Sequence, residues 1–83
     1  MKQHITKSQW ESADKHYIEN KTGWLDYREI TIGQMIEYLG DDLFKIEALN
    51  QNYLVWLNDR KEINMNAELC DALWEACKYK LKQ

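Results

Sequence analysis

Hydrophobic positions recur with helical spacing most clearly between Asn66 and Leu81. At about 100° per residue, Leu69, Cys70, Ala72, Leu73, Trp74, Ala76, Cys77, Tyr79 and Leu81 fill more than half of a helix circumference. Glu68, Asp71, Glu75, Lys78 and Lys82 share the remainder. Asn66 suits the N-cap, Glu68 and Asp71 sit near the positive end of the helix dipole, and Lys78, Lys80 and Lys82 near the negative end. An arc this wide exceeds what one neighbour covers. The pattern therefore predicts a helix packed on two sides, by its own sheet and by another helix or a second subunit.

Upstream, residues 1–7 carry little pattern and read as a flexible or loosely attached arm. Ser8 and Glu11 have the spacing of a capping box, opening a surface helix to about Glu19 with a sparse stripe of Trp10, Ala13, Tyr17 and Ile18. Asn20 to Gly23 stops it. Trp24 to Ile30 reads as a short strand or extended link anchored by Trp24 and Ile30. Thr31 and Gln34 form a second capping-box signature. Ile32, Met35, Ile36 and Leu39 follow at helical spacing, and Gly40 closes the segment. Gly33, in the first turn, suggests close approach by another element.

Leu43–Leu49 and Tyr53–Leu57 are of strand length and predict an antiparallel hairpin. In the first, Phe44, Ile46 and Ala48 share one face and Lys45 and Glu47 the other. The second is apolar on both faces, so it is expected to be central. Glu62–Met65 adds a short third strand with Ile63 and Met65 on one side. The expected fold class is α+β: two N-terminal helices, a two- or three-stranded antiparallel meander, and a long C-terminal helix packed on it, in one domain over residues 1–83.

An 83-residue chain has one modest core, and a second copy would add burial, so a homodimer through the terminal helix and hairpin is expected. No apolar run of membrane-spanning length is present. The first residues lack the apolar run of a signal peptide, which points to the cytoplasm. Cys70 and Cys77, seven apart on one helix, lie roughly 10 Å apart, too far for a disulfide, and read as buried thiols. His4 and His16 have no partner at a motif spacing, and Asp41-Asp42 lacks the rest of a calcium loop. No catalytic residue, metal site or cofactor is read from this sequence.

The net charge is −3, and the acidity is regional. Asp26, Glu29, Glu37, Asp41, Asp42 and Glu47 face only Arg28 and Lys45 within their segment, which argues against direct nucleic-acid binding. A nucleic-acid-associated regulator, touching phosphate through the N-terminal helix and an Arg60-Lys61 turn, is the alternative. Four tryptophans and five tyrosines are more informative. Trp24, Trp56 and Trp74 are expected in the core, while Tyr27, Tyr38, Tyr53 and Tyr79 are too many for so small an interior. Tyr27 and Tyr38, with Asp26, Glu29, Glu37, Asp41, Asp42 and Glu47, form the candidate partner-binding surface.

Ile30-Thr-Ile-Gly-Gln-Met-Ile-Glu-Tyr-Leu39, with Glu68-Leu-Cys-Asp-Ala-Leu-Trp-Glu-Ala-Cys-Lys78, resembles small proteins encoded in phages, prophages and other mobile elements of low-GC Gram-positive bacteria. The resemblance implies accessory genes expressed in a bacterial host, where small acidic proteins bind and block host defence proteins such as CRISPR or restriction nucleases. The expectation is a non-enzymatic protein-binding module of anti-CRISPR or anti-restriction type.

Overall fold

The C-terminal helix lies between a sheet and a layer of helices, and both sides consume its wide apolar arc. A computed structural model of the protein describes residues 1–59 and 62–82, with only the backbone of Asn64. In order these form α1 (Lys7–Glu11), α2 (Lys15–Thr22), a 3-10 turn (Tyr27–Glu29), α3 (Ile32–Leu39), a second 3-10 turn (Gly40–Asp42), β1 (Leu43–Leu49), β2 (Asn52–Leu57), β3 (Glu62–Asn66) and α4 (Leu69–Leu81). The α+β class and the helix-on-meander arrangement are as expected. Strand order is β1-β2-β3, antiparallel throughout, with β2 central.

One side of α4 packs on β2 and β3, and another on α3. Cys70, Ala72, Leu73, Trp74, Ala76, Cys77 and Leu81 are all buried within this single chain. Val55, Leu57 and Ile63 meet the helix from the sheet; Met35 and Leu39 of α3, and Trp10 and Ile18 of α1 and α2, complete the same cluster. The Tyr17 hydroxyl donates to the Leu81 carbonyl, tying α2 to the end of α4. The sequence argument for covering this helix with a second subunit therefore loses its premise.

The N-terminal segment is a packed element rather than a loose arm. Ile5 is fully buried beside Ile30, its N–H donates to the Ile30 carbonyl at 3.2 Å, and Ile32 N–H donates to Gln3 O at 3.1 Å. His4 and Thr31 thus form an isolated antiparallel bridge. Lys2 donates to Asp71 on α4 and, at 2.8 Å, to Gln9 Oε1. The expected first helix is in fact two. Thr6, paired with Gln9, is the capping box of α1 in place of Ser8 and Glu11. After a break at Ser12–Asp14, the Asp14 carboxylate accepts from Tyr17 N–H and starts α2. Trp24 to Ile30 contains the 3-10 turn and no strand.

Other local expectations change for identifiable reasons. Asn66 ends β3, and α4 begins at Leu69 with no side-chain cap. A β-carbon added at Gly33 would meet nothing within 4 Å, so close packing does not explain that glycine. Thr31 does cap α3, accepting from Gln34 N–H at 3.1 Å, and Gly40 ends it at φ +49°. Irregularities in both strand pairings, between Leu43 and Lys45 and between Tyr53 and Val55, reset the alternation. They leave Phe44 62% and Met65 52% exposed, so Met65 does not share the buried side of Ile63. Trp10 takes the core place expected for Trp56.

Truncating a fully buried isoleucine removes its transfer free energy and leaves a cavity. Ile5→Ala should therefore destabilise the chain by about 2–4 kcal/mol in urea denaturation. A change within about 0.5 kcal/mol, the usual effect at an exposed site, would return this segment to the status of an arm.

Candidate functional site

The acidic residues proposed from sequence are held by four different elements. Asp26 caps the first 3-10 turn and Glu29 ends it, Glu37 and Tyr38 lie on α3, Asp41 and Asp42 on the second turn, and Glu47 on β1. The two turns sit at opposite ends of α3, whose eight residues span roughly 12 Å.

Three of the six acids meet a cation of their own chain. Asp26 pairs with Arg28 at 3.0 Å and also accepts the Arg28 backbone N–H at 2.8 Å. Those hydrogen bonds hold its carboxyl well below the ordinary range, at about 2, so the pair persists until strongly acidic pH. Asp42 pairs with Lys80 at 3.0 Å. Glu47 lies 4.0 Å from Lys45 and accepts from Trp56 Nε1 at 3.3 Å. Glu29 accepts Leu25 N–H at 3.0 Å, while Glu37 and Asp41 are exposed. Tyr27 and Tyr38 are half-buried against the core, and burial raises the Tyr38 phenol above its usual pKa. The eight residues therefore do not form one uniform acidic site.

Lys80 organises much of this region. Its ammonium donates to the Tyr38 carbonyl at 2.6 Å, lies 4.4 Å from the centre of the Tyr38 ring and meets Asp42. A carbonyl in the last turn of α3 has no intrahelical donor, so a cation from α4 satisfies it and complements the helix dipole. Asp42 is thereby part of a structural clasp.

The stronger surface feature is the sheet face turned away from α4. Leu54 is 4% exposed yet lies outside the core cluster, because it alternates with Val55, whose side chain meets the helix. Trp56 shares the face of Leu54, and Lys45 and Glu47 pair opposite them on β1. The Lys45 ammonium lies 5.2 Å from the Trp56 ring centre. Phe44 enters at the β1 irregularity, and Met65 is one of two residues set against Leu54 by the irregularity in the β2–β3 pairing. The result is an apolar strip crossed by one ion pair. Dual-faced apolarity in Tyr53–Leu57 signalled that face in the sequence, but nothing there told which side the helix would take.

Among the described residues, no group of three His, Cys, Asp or Glu side chains is arranged to hold a metal ion, and no buried side-chain nitrogen or oxygen lacks a hydrogen-bond partner. His4 is committed locally, its Nδ1 lying 2.7 Å from the Ile5 carbonyl oxygen. Arg60 and Lys61, singled out for phosphate contact, lie outside the described residues. No helix among the described residues is long and apolar enough to cross a membrane. Compared with protein-family models, curated proteins and solved structures, the chain has no match.

The Lys80 clasp is testable without a partner. Lys80→Met should cost about 1–3 kcal/mol, because it strands the Tyr38 carbonyl, whereas Asp42→Asn should cost less than about 1 kcal/mol because that carboxylate is exposed. Equal losses in thermal or urea unfolding would mean that the ion pair, not the carbonyl bond, carries the clasp.

Proposed function

We propose that this chain is a protein-binding module that uses the outer face of its sheet. The observation that carries this reading is exposed Phe44 and Met65 with half-buried Trp56, over a buried Leu54, on a face that α4 leaves open. Half-buried aromatic anchors beside exposed apolar side chains are the composition of interface centres, where a few residues supply most of the binding energy. Asp41, in the turn just before β1, contributes charge at the margin. In the bacterial setting implied by the resemblance, the partner is a host protein, and the sharper form is inhibition of a defence nuclease. Mimicry of nucleic acid by the whole acidic segment has less support, since Asp26, Asp42 and Glu47 are paired within the chain.

Immobilised protein should retain a defined host protein from a Gram-positive lysate, and Phe44→Asp with Met65→Asp should weaken that complex at least about tenfold without unfolding the module. Reversing Asp41 to lysine should slow association only modestly, as expected of a rim charge. A complex indifferent to Phe44 and Met65 but abolished at Asp41 would move the site to the acidic segment. Retention of no specific partner would remove the proposal.

A further inference from the structure

We infer that β1 pairs with β1 of a second copy across a two-fold axis at Ile46, joining two three-stranded sheets into one of six strands. This inference does not rest on the proposed host partner. Because the strand order is β1-β2-β3, β1 is hydrogen-bonded on one side only among the described residues, and its other edge presents backbone donors and acceptors to a further strand. Phe44, Ile46 and Leu49 are 62%, 37% and 38% exposed, placing three of the protein's exposed large hydrophobic residues on one seven-residue strand.

The charge order along β1 favours one register. In an antiparallel pair the residue numbers of facing positions have a constant sum, and side chains facing each other lie on the same side of the sheet. An axis at Ile46 sets Lys45 against the partner's Glu47 and Glu47 against the partner's Lys45, within the regular part of the strand. Moving the axis to Lys45 or Glu47 brings like charges face to face. The two-fold at Ile46 is therefore self-complementary, as a closed isologous contact requires. The regular run Lys45–Leu49 lies beyond the irregularity at the start of the strand and contains both charges. The opposite edge offers no such match: β3 has five residues, and self-pairing about Asn64 would set Glu62 against Asn66. Joined in this way, the two copies keep α4 on the same side of a continuous sheet, with the two outer faces side by side.

The test is a charge swap read by sedimentation equilibrium, with circular dichroism to report folding. The wild-type mass should rise with concentration from 10.0 kDa towards twice that value. Lys45→Glu alone and Glu47→Lys alone should each weaken dimerisation by about tenfold or more, since each puts like charges opposite one another at two symmetric positions. The double variant K45E/E47K restores opposite charges in the same register and should dimerise like the wild type. If either single reversal fails to fold, Lys45→Gln and Glu47→Gln make the same comparison with a smaller loss. A wild-type chain that stays at 10.0 kDa into the high micromolar range would overturn the inference. So would dimerisation that ignores the single reversals, or a folded double variant that remains monomeric.

Discussion

The enclosure of α4 is the constraint on which the rest of the structure depends. A helix with so much apolar circumference is stable in water only if two surfaces meet it, and this chain supplies both. The sheet takes one side through Val55, Leu57 and Ile63; α3 and the N-terminal helices take the other through Met35, Leu39, Trp10 and Ile18. The N-terminal bridge of His4 with Thr31 belongs to the same construction, since it ties the first residues to the entry of α3. With all the described helices committed to that layer, none among the described residues is left to cover the far side of the sheet. The open face follows from how α4 is buried.

The same arrangement explains how far the sequence could be read. Elements with strong local periodicity were legible: α4, the centrality of β2, and the Thr31 and Gly40 ends of α3. The N-terminal contact was not, because one isoleucine at position 5 carries no period and its partner Ile30 lies far along the chain. The break between α1 and α2 was hidden because Asp14 begins a second helix inside a stripe that one helix could also have explained. Strand irregularities depend on pairing between strands, so Phe44 and Met65 could not be placed from alternation alone.

The candidate site was legible in part. Each acidic residue could be identified, but its electrostatic value depends on neighbours brought by folding, and Lys80 reaches Asp42 from another element. Regional acidity in a sequence is therefore not yet an acidic surface. The apolar face was present in the sequence as a strand hydrophobic on both sides; which side would remain exposed was decided by α4. The hairpin turn shows the same interplay: Asn50 and Gln51 both have positive φ, at +49° and +67°, so the two-residue connection adopts the twist the strands require despite the strain at Gln51.

Cys70 and Cys77 provide built-in probes of that enclosure, since both are fully buried on α4 and burial raises their thiols to about 11 and about 12. The most direct measurement is their rate of reaction with a thiol reagent near neutral pH, at a protein concentration low enough for the chain to be monomeric. A helix covered on both sides within one chain predicts that both thiols react slowly and together, at the rate set by global opening of the fold. Rapid modification of either cysteine in the folded monomer would contradict that account and return the covering of α4 to a second subunit.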